Sequence, residues 1–269
     1  MKFQHAPQIW RDFPELVPGV LFAEGSTASL PTGPGTAKFT DAARSWLDGR
    51  TESELPQIQA WRRAFARMGL KPTQYRCAAE SLLRRFRKDG TLPAVHPLVD
   101  LCNAASLAFA IPVAVFDAAQ ITGDLAVRHA TGAEDYLTFS GDVEHPAPGE
   151  VIFADGAGQA HARRWTNRQS GRSAVRDETM SALIVAEALH ASAPADVPEL
   201  ISAIAGELTG AGCRVPVVTV LTPATPAVLI DLPPPASPRP TQPHPLDAAR
   251  PCAIHPPDKP IPPPGPRPS

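Results

Sequence analysis

The 269-residue sequence predicts an α+β fold, and three observations predict it. Apolar residues recur at steps of three and four between residues 38 and 109, which is the helical period. From residue 111 onward the texture changes to short extended runs separated by turn dipeptides. A last helical stretch, 196–209, precedes a final β-branched run, 214–221, so helices and strands are largely segregated.

Taken in order, the chain starts with a polar lead-in and then a strand over 15–24, where ELVPGVLFAE is bounded by Pro14 and Gly25. The connector STASLPTGPGT (26–36) carries Gly33 and Gly35 but lacks the third glycine of a dinucleotide fingerprint. It also lacks the Gly-Lys-Ser/Thr ending of a phosphate loop. A helix over 38–47 closes at Asp48-Gly49. Two amphipathic helices flank MGLKPT: Ile58, Trp61, Phe65 and Met68 mark the apolar face of the first, and Tyr75, Ala79, Leu82 and Phe86 that of the second. Pro97 suits a first helical position, so a helix runs over 97–109 with Leu98, Leu101, Cys102, Ala105 and Phe109 inward and Asp100, Asn103 and Ser106 on one stripe. Extended pieces are expected at 113–116, 125–129, 136–139, 150–154, 160–165 and 181–188. VIFADGAGQAHARRW is the clearest hairpin, turning at Asp155-Gly156. ALIVAEAL fits helix or strand by period, and the contiguous Leu183, Ile184 and Val185 select a buried strand.

Composition bounds the function. Of 33 prolines, 16 follow Leu232, so residues 233–269 are expected to be a disordered tail able to recruit partner proteins in polyproline II form. The folded domain is expected to occupy residues 1–222. No uninterrupted apolar run is long enough for a membrane span, and the first residues do not read as a signal peptide, so a cytoplasmic protein without membrane partners is expected. Cys77, Cys102, Cys213 and Cys252 form no CxxC pair and sit near no histidine at ligand spacing, so reduced thiols, no metal and no cofactor are expected. No GxSxG elbow supports a serine hydrolase. His96 suits a cap before Pro97, Asp117 a turn cap, and His161, beside Arg163 and Arg164, a surface imidazole.

The charge distribution points further. The net charge is -2, yet between Trp61 and Gly90 nine cations (Arg62, Arg63, Arg67, Lys71, Arg76, Arg84, Arg85, Arg87, Lys88) face only Glu80 and Asp89. A second cluster, Arg163, Arg164, Arg168, Arg172 and Arg176, surrounds Trp165. Guanidinium groups bind phosphate bidentately and an indole offers a stacking face, so RNA is the expected partner, with Trp165 against a base.

WRRAFARMGLKPTQYRCAAESLLRRFRKDGTLPAVHPLVDLCNAASLAFAIPVAVFD, above all PLVDLCNAASL followed by IPVAVFD, resembles the B3/B4 domain of the bacterial phenylalanyl-tRNA synthetase beta subunit, and more closely the stand-alone proteins built on it. GEVIFADGAGQAHARRWTNRQSGRS and RDETMSALIVAEAL extend the resemblance to about residues 55–221. It implies a three-layer mixed fold and binding of tRNA or its aminoacyl end. In the synthetase the domain edits, hydrolysing tyrosine misattached to the phenylalanine tRNA. Asp100 and Asn103 match the Val-Asp-x-x-Asn wording, and Pro112, Phe116 and Asp117 match the closing segment. Two positions depart: Ala114 stands where the editing histidine falls, and Gly171 where an acidic pocket residue falls. The resemblance thus implies a pocket at Asp100, Asn103, Ala114 and Gly171 whose polar means of placing a hydrolytic water are missing. Asn103 and Asp100 fit either ligand contact or internal bracing. The expectation is a tRNA or aminoacyl-tRNA binding module. The alternatives are a trans-editing deacylase and a module for an amino-acid-like ligand or a protein partner.

Overall fold

The computed structural model describes residues 1–232 apart from residues 26, 29 and 31–33. The connector glycine Gly33, the proline-rich tail and Cys252 lie outside the described residues. The fold is α+β. Strand β1 (Lys2–His5) and helix α1 (Pro7–Asp12) occupy what reads as a polar lead-in, and β2 (Val17–Glu24) follows. Helices α2 (Pro34–Leu47), α3 (Pro56–Arg67), α4 (Ala78–Asp89) and α5 (Pro97–Phe109) come next. The strands are β3 (Val113–Asp117), β4 (Leu125–His129), β5 (Tyr136–Leu137), β6 (Val143–Glu144), β7 (Val151–Asp155), β8 (Ala160–Arg163), β9 (Arg168–Gln169) and β10 (Ser181–Ala188). Helix α6 (Ala193–Gly210), β11 (Arg214–Val220) and β12 (Ala227–Leu229) finish the fold.

The helix ends follow from their residues. Pro56 and Pro97 open α3 and α5, where a missing N–H costs nothing. His96 Nδ1 accepts from the Leu98 N–H at 3.2 Å and caps α5. Gly90, at φ 73°, ends α4 in the left-handed conformation that favours glycine.

Two sheets stack. One has the order β12-β1-β4-β7-β8-β9 and the other β11-β2-β10-β3, while β5 and β6 form a separate hairpin. Strands β2 and β10 pair antiparallel over their whole lengths and bury both faces. Because side chains alternate along a strand, Phe22, Leu183 and Val185 enter an inner core shared with Phe3, Phe153 and Trp61. Leu21, Ile184 and Ala186 enter an outer core under α2, α5 and α6. Helix layer, four-stranded sheet and six-stranded sheet are therefore the three layers. Helix α6 lies so close to β2 that a methyl on Gly19 would come within 2.7 Å of Val197.

One buried carboxylate joins the layers. Glu187, on β10, accepts a hydrogen bond from Trp165 Nε1 at 2.9 Å, and its Oε1 lies 2.7 Å from His5 Nε2 on β1. Its backbone carbonyl accepts from Trp61 Nε1 of α3 at 3.3 Å.

The folded part continues past the expected limit at residue 222. Strand β12 pairs antiparallel with β1, and Ile230, just after it, is buried in the inner core. Cys77, Cys102 and Cys213 are free and buried; desolvation pushes the Cys77 thiol up to about 12. Among the described residues, no helix is long and apolar enough to cross a membrane.

Glu134 is buried in the loop after β4, where Thr131 N–H, Gly132 N–H and Arg128 converge on it. Burial opposes its ionisation, yet the Thr131 N–H and the Arg128 guanidinium outweigh burial and bring its pKa from 4.5 down to about 2. Its stabilisation is therefore fully present above pH 4.5 and lost as pH falls through about 2. Urea unfolding at pH 7 should show Glu134→Gln less stable by about 1–3 kcal/mol, with the two proteins converging at the acid end.

Candidate functional site

The helix and strand that carry the resemblance come together at one sheet edge. Among the described residues, strand β3 pairs only with β10, and its other edge meets no strand. The segment 169–180 closes that edge with single groups. Gln169 Nε2 donates to the Val115 carbonyl at 2.5 Å, and the Asp117 N–H donates to the Ser173 carbonyl at 2.9 Å. Thr179 Oγ1 donates to Asp117 Oδ2 at 3.0 Å, while Asp117 Oδ1 accepts from the Ala119 N–H at 3.0 Å. Asp117 does cap a turn, the 3-10 turn Ala118–Gln120. Burial raises its pKa above 3.8 against the pull of the Thr179 hydroxyl.

The four pocket positions fare differently. Asp100 Oδ1 accepts from the Val95 N–H at 2.9 Å, so it braces the start of α5. Asn103 is half-buried and its amide makes no hydrogen bond to any described residue. One turn further on, Leu107 packs into the inner core, and Ala114, half-buried on β3, packs against that same core. Gly171 is buried: a methyl there would lie 3.0 Å from the Thr138 carbonyl oxygen and 3.4 Å from Phe139 Cα. The β5–β6 hairpin thus fills the space that a side chain at this position would need.

His96 sits beside this segment. Its Nδ1 is the helix-capping acceptor, so the neutral ring carries its proton on Nε2. That atom faces the Arg176 backbone and lies 3.9 Å from Asp177 Oδ1, without a well-formed hydrogen bond. Burial lowers the pKa of His96 below 6.5, with Asp177 and Asp100 pulling the other way. The ring is a donor toward the 176–177 stretch and has no free lone pair to act as a base. Ser173 Oγ, also buried, has no hydrogen-bond partner among the described residues.

The basic clusters are partly neutralised inside the molecule. Arg62 and Arg76 share Glu80, Arg67 pairs with Glu15, Arg85 with Asp89, and Arg87 with Glu52. Arg168 reaches Glu144 at 3.3 Å, and Arg164 lies 4.6 Å from the Tyr75 ring centre. Arg63, Lys71, Arg84 and Arg172 are exposed and make no ion pair with any described residue.

Four expectations are overturned. Trp165 has no exposed surface and faces the inner core, with its ring centre 5.0 Å from that of Trp61, so no base can stack on it. The extended run expected over 160–165 stops at Arg163 because Arg164 and Trp165 take positive φ, 48° and 57°. This turns the indole inward onto Glu187, and Trp165 N–H donates to the Val151 carbonyl at 2.7 Å. Arg163 is 7 % exposed and held by Glu144 and Glu150, so it is spent inside the fold rather than on phosphate. His161 is buried against Asp155 at 3.2 Å instead of lying on the surface. Desolvation lowers its pKa, opposed by Asp155.

The geometry defines a class: a two-sheet α+β domain whose edge strand, next to a proline-opened helix, is closed by a return loop. The B3/4 domain matches residues 60–196, and the chain belongs to that family. It is similar to the phenylalanine–tRNA ligase beta subunit of Cereibacter sphaeroides, 36 % identical over 76 residues, which are 28 % of this chain. The match spans 9 % of that relative's length. A solved N-terminal fragment of the phenylalanyl-tRNA synthetase beta subunit from Pyrococcus horikoshii aligns over 79 % of this chain and 49 % of its own, with a TM-score of 0.44 and 9 % identity.

Trp165→Phe keeps an aromatic ring but removes the donor to Glu187 and leaves part of the indole volume empty, so chemical denaturation should show a loss of about 1–3 kcal/mol. Its affinity for RNA should equal that of the parent; a drop confined to RNA binding, with stability intact, contradicts the buried role. Gly171→Ala should cost about 1–3 kcal/mol by pressing on the hairpin backbone, measured in the same way.

Proposed function

We propose that the chain binds tRNA through exposed cations and receives the aminoacyl end beside α5, at Asn103. The observation that carries this reading is the set Arg63, Lys71, Arg84 and Arg172, exposed and without carboxylate partners among the described residues, in a B3/4 domain. A relative in which the same kind of segment occurs is a tRNA ligase subunit, which makes tRNA the polyanion to test. Arg62, Arg67, Arg76, Arg85, Arg164 and Arg168 are secondary contacts in this reading. Those that share carboxylates must give up part of an internal pair to reach phosphate. The Asn103 amide, with no internal hydrogen bond to a described residue, offers a donor and an acceptor to the bound end.

Binding is favoured over deacylation. Ala114 supplies no imidazole, and the nearby His96 has its basic nitrogen occupied by the Leu98 N–H. No other imidazole among the described residues is tied to the 169–180 segment as His96 is; His161 is closed off by burial with Asp155.

Anisotropy of fluorescent tRNA, titrated with the full chain between about 50 and 200 mM salt, tests the reading, because phosphate contacts make affinity fall steeply with salt. The triple variant Arg63→Glu, Lys71→Glu, Arg84→Glu should bind at least about ten-fold more weakly and with a shallower salt slope. Asn103→Ala should weaken aminoacyl-tRNA more than uncharged tRNA, and mischarged tRNA should stay charged on incubation. Undetectable binding at low salt, or an affinity indifferent to salt, overturns the reading.

A further inference from the structure

With Trp165 inside the core, the ring available to a base lies elsewhere. Phe139, at the tip of the β5–β6 hairpin, is 55 % exposed, the one aromatic ring among the large exposed apolar side chains of the described residues. We propose that Phe139 is a stacking platform for an unpaired nucleobase, with Arg172 and Arg176 beside it taking the adjoining phosphates.

Three features carry this. First, the tip is stiff. Thr138 N–H donates to the Asp142 carbonyl at 2.8 Å, Asp142 N–H donates to Thr138 Oγ1 at 3.0 Å, and Gly141 N–H donates to the Thr138 carbonyl at 3.2 Å. Ser140 Oγ donates to Asp142 Oδ2 at 2.8 Å and lies 2.9 Å from Thr138 Oγ1. A ring presented on such a tip loses little freedom when a base lands on it. Second, the tip is seated on the loop that carries the cations. Gly171 N–H donates to the Leu137 carbonyl at 2.9 Å, Ser170 Oγ donates to the same carbonyl at 2.9 Å, and the Gly171 backbone lies directly against Thr138 and Phe139. Arg172 follows Gly171, and Arg176 Nη2 reaches back to the Gly171 carbonyl at 3.5 Å. Both arginines are exposed. Third, an exposed phenyl ring has no hydrogen-bonding edge, so it suits any base through its π-face, and flanking guanidinium groups supply the charge complement. Gly171 then has a positive role: only a residue without a side chain lets the hairpin tip lie this close to the arginine-bearing loop.

The inference rests on the tRNA-binding reading, and the experiment separates the two. Full-length Phe139→Ala and Phe139→Trp are titrated against tRNA, and against a short single-stranded RNA and its abasic counterpart of equal length. Phe139→Ala should bind tRNA roughly ten-fold more weakly, the loss of one base stack, with an unchanged salt slope. Phe139→Trp should bind at least as well as the parent, and the preference for the RNA over the abasic strand should vanish only in Phe139→Ala. Arg172→Ala should lower the salt slope by about one. A parent that fails to bind tRNA overturns both readings. A parent that binds tRNA while Phe139→Ala binds equally well, Phe139→Trp fails to restore affinity, or the abasic strand binds like the RNA, overturns the stacking role alone.

Discussion

Glu187 is the point on which the architecture depends. A carboxylate removed from water needs donors, and here two of them from separate elements converge on Oε1, Trp165 after β8 and His5 on β1, with Trp61 of α3 on the backbone carbonyl. Meeting that one requirement brings both sheets and a helix to common positions. It also explains why Trp165 faces inward at the expense of two consecutive positive-φ residues. The local backbone strain is offset by a buried hydrogen bond and by ring packing against Phe13 and Trp61.

Next to that core, the β5–β6 hairpin and the segment 169–180 build a polar framework of their own. There Arg163 is locked between Glu144 and Glu150, and Tyr136 donates to the Gln169 carbonyl at 2.7 Å. The same polar framework closes the edge of β3 and seats the hairpin tip. The region that looks like a binding surface is thus built on salt bridges and backbone contacts, whereas the region that looks like a basic strand in the sequence belongs to the interior.

What the sequence makes legible is what local chemistry determines. Pro97 and the cap at His96 locate α5 to the residue, and the contiguous Leu183, Ile184 and Val185 identify β10 as a strand buried on both faces. The charge pairs are half legible: Arg85 with Asp89 and Arg76 with Glu80 are four residues apart on or beside one helix. Glu15 with Arg67, and Glu144 with Arg163, are joined only by the fold. Strand β1 is missed because Gln4 and His5 read as polar. His5 is buried by its bond to Glu187, 182 residues away, which no local pattern encodes. The closure of the β3 edge was not legible: Ser173, Thr179 and Asp117 are brought together by a return loop with no motif of its own.

The pairing of β1 with β12 has a consequence for self-association. Lys2 lies opposite Leu229 and the Met1 amino group donates to the Ile230 carbonyl at 2.9 Å, so β12 covers the outer edge of β1. Without that cover, β1 would present a row of unpaired backbone groups, a template for strand addition from another molecule.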